Sequence, residues 1–300
     1  MQRFAGETMG TSWSLHAVDP PAGVERGVQS AFDRVVAQMS QWEPASNLSR
    51  FNRSARSEWQ EVPEEFATVL DAALAVAAAS EGAFDPCLGR LSELWGFGSA
   101  GPVGAVPKAE SIHAARRAPA AIEFDREACR VRRTGDAMLD LSGIAKGFGV
   151  DHAAEWLLGQ GVRHFLIEVG GELRGEGVRP DGQPWWVDVE APPDAPHDPF
   201  RIALHDLSVA TSGSYRRGFA VDGRHYSHSL DPVTGWPIVH GVQSVTVIHR
   251  SCMMADAWAT ALTVMGAERA MATADRLGLA AHASAGERQH MSQAWRAMLG

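Results

Sequence analysis

Cysteine is scarce in this sequence, and the little there is excludes the roles it most often plays. Cys87, Cys129 and Cys252 are odd in number, far apart and without C-x-x-C spacing. That argues against a disulfide framework or a thiolate metal site and leaves plain buried or half-buried thiols. Long apolar runs are missing too: no window approaches the ~20 apolar residues needed to span a bilayer. Residues Met1 to Thr11 lack a basic stretch, an apolar run and a small-residue cleavage site, so no signal peptide is read and, as the sequence stands, a cytoplasmic chain is expected, with the periplasmic face as the alternative if the start is not the native one. Nor is there an excess of positive charge. With a formal net charge of −9 over 300 residues, a surface built to attract nucleic acid or anionic lipid is not expected, and any phosphate recognition has to be local.

What is present is the balance of a globular protein, 45% hydrophobic and 21% charged, which predicts one domain over residues 1–300 with a sizeable core. Apolar residues at Val28, Phe32, Val35, Val36 and Met39 are spaced by three and four and predict a helix over Val24 to Met39. A polar loop over Glu43 to Asn52 follows. A second helix is read over Glu64 to Ser80, stopped by Gly82. Gly96 to Pro107 reads as loop, and Ala121 to Phe124 with Arg130 to Arg133 as a hairpin. The glycine-rich stretch Gly143 to Gly149 leads into a helix over Val150 to Leu158, then a strand over His164 to Val169. Further strands are read at Trp185 to Val189, Ile202 to Leu204, Ser208 to Thr211 and Val242 to His249. A linker over Ala191 to Pro199 is rich in proline and aspartate, and helices over Ala255 to Met265 and Ala267 to Leu277 close the pattern. Strands joined by hairpin-like linkers, with helices at both ends and in the middle, indicate an α+β fold rather than βαβ alternation.

Three stretches can carry chemistry. In Leu139-Asp-Leu-Ser-Gly-Ile-Ala-Lys-Gly-Phe-Gly-Val-Asp151 a strand ends in small residues and a helix begins, so backbone amides and Lys146 could face a phosphate. A tight turn whose glycines serve packing fits the same residues. In Ala255-Asp-Ala-Trp-Ala-Thr260, Asp256 and Thr260 lie one helical turn apart on one face and could share a hard cation such as Mg²⁺. Alternatively Asp256 favours the helix N-terminus and Thr260 bonds back to a carbonyl. The polar run Gly223 to Gly235 holds His225, His228, Asp231 and Thr234, where a histidine could take a proton from a hydroxyl and a carboxylate orient it, or where the residues form only a turn. Ala210 to Tyr215 and Asp85, in Gly82-Ala-Phe-Asp-Pro86, suit ligand contact, a hairpin or a capped turn equally.

These fragments occur together and in order as in the FAD:protein FMN transferases, the ApbE family, which the chain resembles. The resemblance runs through Met9-Gly-Thr11, Met39-Ser40, Ser46-Asn-Leu-Ser-Arg-Phe-Asn52, Gly82-Ala-Phe-Asp-Pro86, Leu94-Trp-Gly-Phe97 and Asp140 to Asp151. It continues through Gly170-Gly171, Thr211-Ser-Gly213, His228-Ser-Leu-Asp-Pro232, Thr234-Gly235 and Ala255 to Thr260. It implies mixed, largely antiparallel sheets flanked by helices with a central FAD pocket. It further implies Mg²⁺ on the FAD diphosphate and attack by a serine or threonine of a target flavoprotein on the FMN phosphorus, with release of AMP. Under it Asp256 and Thr260, with the carbonyl of Ala145, become the Mg²⁺ ligands and His228 the general base. Lys146, Asp85, Met9, Ser46, Thr211 and Ser212 become FAD contacts. The acceptor would be a flavoprotein, such as a redox-complex subunit. Where the family usually has Asn-x-Gly-Gly-Asp, this chain has Glu168-Val-Gly-Gly-Glu172, which puts a hydrogen bond of the usual asparagine in question. A Mg²⁺-dependent FAD pyrophosphatase, a non-catalytic FAD-binding protein and an interaction scaffold are the other readings.

Overall fold

A computed structural model of the chain describes residues 1–117, 122–192 and 198–299. It opens with strands β1 (Gln2–Thr8) and β2 (Thr11–Ala17), helices α1 (Val24–Met39) and α2 (Asn47–Arg53), strand β3 (Gln60–Glu61) and helix α3 (Glu64–Ala79). Helices α4 (Gly89–Leu94) and α5 (Ala109–Arg117), strands β4 (Ile122–Asp125) and β5 (Arg130–Arg133) and helix α6 (Ala145–Gly159) follow. Next come β6 (Phe165–Val169), β7 (Glu172–Glu176), β8 (Trp185–Asp188), β9 (Arg201–Leu204), β10 (Leu207–Gly213), β11 (Gly218–Val221), β12 (Arg224–Ser227) and β13 (Ser244–His249). The chain closes with α7 (Cys252–Met265), α8 (Ala267–Leu277), β14 (Ala280–Ala285), β15 (Arg288–Met291) and α9 (Gln293–Leu299).

These elements form two compact units, neither a continuous stretch of chain. The first comprises Met1–Val36, Gly143–Gly213 and Val242–Gly300, the second Ala37–Ser142 and Ser214–Gly241. The first is built on an eight-stranded sheet in the order β1-β2-β6-β7-β10-β13-β14-β15, every neighbouring pair antiparallel. Alternation in β2 sends Trp13, Leu15 and Ala17 inward, where they meet Phe32 of α1, Val150 and Leu157 of α6, and Phe165 and Ile167 of β6. Each such fully buried large side chain contributes about 1.5–3 kcal/mol relative to exposure. The second unit packs Leu91, Trp95, Ile112, Tyr226 and Leu230 into its own core, and the Trp95 indole N–H donates to the Gly235 carbonyl at 2.9 Å.

The expected α+β architecture with largely antiparallel sheets is the one observed. Two local expectations are corrected. The polar stretch predicted as loop over Glu43 to Asn52 turns helical at Asn47, because Ser46 caps it: its hydroxyl accepts from the Ser49 N–H at 3.0 Å. The helix read from Val150 begins five residues earlier, at Ala145. Two glycines lower helix propensity there, and packing against α7 overrides that. The hairpin of β1 and β2 gave no local signal, since its two-residue turn is Met9-Gly10, with φ of +50° and +74°, where Asn-Gly would be usual. Most of the proline-rich linker over 191–199, and Ala121 of the predicted hairpin, lie outside the described residues.

Candidate active site

Seven of the ten predicted site residues belong to the first unit, and the crossing of α6 and α7 organises four of them. Asp151 on α6 accepts from the Ser251 hydroxyl at 2.7 Å, from the N–H groups of Cys252 and Met253 at 3.0 Å each, and from Arg174 at 2.9 Å. It therefore satisfies two of the orphan donors that begin α7. One turn later Asp256 returns the favour to α6: its Oδ2 accepts from the Gly147 N–H at 3.0 Å, a donor of the first turn of that helix. Only a glycine permits this approach, because a Cβ at Gly147 would lie 2.3 Å from the Cys252 carbonyl oxygen. The packing reading of the glycine-rich turn holds for Gly147, whose amide is bonded to the Asp256 carboxylate.

Asp256 is 5% exposed. Burial pushes its carboxyl above the usual carboxylate range, and the charge of Lys146 and the Gly147 N–H act against that shift. Thr260 is half-buried one turn further along α7. The back-bond to a carbonyl that was open for Thr260 is made instead by Thr263, to Ala259 at 2.8 Å; among the described residues Thr260 makes none. Ala145 and Lys146 are the first two residues of α6. Met9 sits on the β1–β2 turn with its Cε against Gly149, where a Cβ would lie 2.6 Å from it. Thr211 is buried in β10, its hydroxyl bonded to that of Thr246 at 2.9 Å, whereas the neighbouring Ser212 is half-buried and faces the other way along the strand.

In the second unit, His228 follows β12 and its Nδ1 lies 3.1 Å from the Arg217 carbonyl oxygen. A carbonyl accepts only, so Nδ1 carries the hydrogen and Nε2 of the neutral ring holds the lone pair. The ring stands edge-on to Phe97 at 6.3 Å between centroids. Asp85 caps its own turn, accepting from the Cys87 N–H at 2.8 Å; burial raises its carboxyl and this hydrogen bond lowers it. Cys87 is pushed up to about 12, by burial and then by the Asp85 charge, so it stays a thiol. Ser46 is fully buried, and its hydroxyl donates to the Ser40 carbonyl at 2.6 Å and accepts from the Ser49 N–H, so its side chain helps to build the loop. Sequence reasoning gave no role to Asn52, whose amide clamps the backbone of Leu139 with bonds of 2.9 and 2.8 Å. Asp140 gathers Ser92, Ser142 and Gln41 in the same unit.

The ApbE family matches residues 9–283. The chain belongs to the ApbE family. Over 280 residues it is 40% identical to the FAD:protein FMN transferase of Vibrio cholerae serotype O1, covering 91% of this chain and 84% of that one. The FAD:protein FMN transferase of Escherichia coli K12 is 34% identical over 288 residues, 92% of this chain and 82% of that one. Among solved structures, the apo flavinyl transferase ApbE of Pseudomonas stutzeri superposes with a TM-score of 0.91 at 36% identity, covering 100% of this chain and 96% of that one. Against the usual ApbE pattern the two glutamates are placed as follows. Glu168 accepts from the Ser14 hydroxyl of β2 at 3.3 Å, and Glu172 is buried and forms an ion pair with Lys146.

Proposed function

We propose that this ApbE-family chain is a FAD:protein FMN transferase, moving the FMN half of FAD to a serine or threonine hydroxyl of an acceptor flavoprotein and releasing AMP. The observation that carries the reading is the start of α6, where a buried carboxylate, a lysine ammonium and helix N-terminal N–H donors meet. A diphosphate accompanied by a hard cation calls for that set of groups. The donors fit Mg²⁺: the Asp256 carboxylate, the Thr260 hydroxyl and the Ala145 carbonyl are all oxygen, and Mg²⁺ takes few protein oxygens and keeps water or phosphate in its other positions. When bound there, Mg²⁺ supplies neutralisation of the charge on the diphosphate.

The chain's own groups do the rest. Lys146 balances charge on the phosphate that leaves. His228 Nε2 takes the proton of the acceptor hydroxyl as its oxygen bonds to the FMN phosphorus. The P–O bond to the AMP half breaks, and its electron pair departs with the AMP phosphate. Arg217, holding Nδ1–H, keeps the ring in the tautomer this needs. We read Met9, Asp85 and Ser212 as FAD contacts, Thr211 as anchored through Thr246, and Ser46 as the cap that shapes its loop. We also propose that residues 1–300 act as one domain, because the family match from 9 to 283 runs through both units. The acceptor is taken to be a flavoprotein subunit of a redox complex.

The test is to incubate the protein with FAD, with and without Mg²⁺, and with a candidate acceptor, following FAD, FMN and AMP by chromatography and the acceptor by mass. The expected result is Mg²⁺-dependent AMP release with an FMN-sized mass gain on the acceptor. Free FMN without a labelled acceptor would make the enzyme a pyrophosphatase, and intact FAD would leave only a flavin-binding protein.

A further inference from the structure

Glu172 begins β7 directly after the Gly170-Gly171 turn, and its side chain is 2% exposed. Its carboxylate forms an ion pair with the ammonium of Lys146, in the first turn of α6, whose side chain is 30% exposed. Asp256 enters the same turn from α7, on the Gly147 amide. One buried carboxylate is thus paired with the Lys146 ammonium, and a second, bonded to the amide of the next residue, lies in its field. The thiol of Cys252 lies in the field of the same groups. After burial, the charges of Asp151, Glu172 and Asp256 push it up, and that of Lys146 pulls it down.

A buried charge is strongly drawn to a partner in a low-dielectric setting. With no Glu172 carboxylate, the partner at hand for Lys146 is Asp256, and an ammonium seated on Asp256 would occupy the oxygen and cancel the charge that a divalent cation needs. We propose that Glu172 is a positioning residue for the cation site: it holds Lys146 in an ion pair, so that Asp256 keeps its carboxylate for a divalent cation. The inference rests on the assignment of Asp256 as a cation ligand. It assigns a task to the glutamate that stands where the family's usual aspartate would be.

The experiment titrates Mn²⁺, followed by its EPR signal, and Mg²⁺, followed by calorimetry, into the full chain without FAD. Glu172→Gln keeps the shape of the side chain and removes its charge. Loss of an outer partner of a metal site typically weakens metal binding by about 10- to 100-fold, and that loss is expected here. Glu172→Asp should stay near the wild type. The decisive comparison is Lys146→Met against Lys146→Met/Glu172→Gln: with the ammonium gone, removing Glu172 should change cation binding little. In the double variant neither partner is left buried without the other, so its cation binding against that of the wild type remains informative even if a single variant does not fold. Unaltered binding in Glu172→Gln overturns the inference, as does an equal loss from Glu172→Gln in the Lys146→Met background, which would mean that Glu172 does not act through Lys146. Absence of cation binding in the wild type overturns the metal assignment itself and this inference with it, a result readily told apart from the other two.

Discussion

At the crossing of α6 and α7 in the first unit, side chains are held by mutual commitments. Asp151 collects four hydrogen bonds from the start of α7 and from Arg174, and Asp256 reaches back to the start of α6. On the second unit's β11–β12 hairpin, His228 is half-buried and oriented through the backbone carbonyl of Arg217. The contrast follows from the work proposed for each region. A cation ligand has to be kept as a carboxylate against the cost of burial, so it is surrounded by charge and by backbone amides. A base that exchanges protons with a protein hydroxyl needs its ring held in one tautomer.

Four substitutions test this contrast, from the largest expected effect to the smallest. Asp256→Asn should abolish Mg²⁺-dependent AMP release, read by chromatography, while raising the melting temperature of the metal-free protein at neutral pH. The sign follows from linkage. A carboxyl whose folded pKa lies above its unfolded value binds more protons in the folded state, so its contribution to stability falls as pH rises through the interval between the two. A lower melting temperature above pH 7 would show that the carboxylate is compensated better than its burial suggests. His228→Ala should slow transfer by about 10²- to 10⁴-fold, the usual share of general-base assistance, yet leave Mg²⁺ binding intact. A matching loss of Mg²⁺ affinity would erase the division of labour between the two regions.

Gly147→Ala should destabilise the fold by at least about 1–3 kcal/mol in denaturant titration, the range for overpacking, because the added methyl meets the backbone of α7 rather than a movable side chain. Mg²⁺ affinity should fall with it, since Asp256 and the α6 amides are set by the same crossing. Ser46→Ala should cost about 1 kcal/mol, as loss of a helix cap does, and leave the KM for FAD nearly unchanged. A large rise in that KM with no loss of stability would restore Ser46 to the ligand contacts.

Much of the fold was legible because its signals are local. The apolar spacing of Val28, Phe32, Val35 and Met39 marked α1 to its observed ends, and the helical period of α7 placed Asp256 and Thr260 on one face. The two errors of boundary came from positions where a neighbour outweighs propensity. Ser46 starts a helix in a stretch rich in turn formers, and α6 begins among glycines that only a crossing helix explains. The candidate site was legible as a set of residue types in order, which is what the family resemblance used. Their partners were not: that Asp151 anchors α7, that Asn52 holds Leu139, and that Thr211 is tied to Thr246 are facts about residues from 35 to about 100 positions apart.

By itself, then, the sequence determined the α+β class, the positions of the chemically capable residues and the family, because periodicity, turn chemistry and ordered motifs are written along the chain. Only the tertiary structure decided that Ser46 is spent on a helix cap, that Nδ1 of His228 is the protonated nitrogen, and that Glu172 is the counter-ion of Lys146. Those outcomes depend on burial and on distances between distant segments, and the strength of a charge or a hydrogen bond is set by the neighbours that exclude water from it.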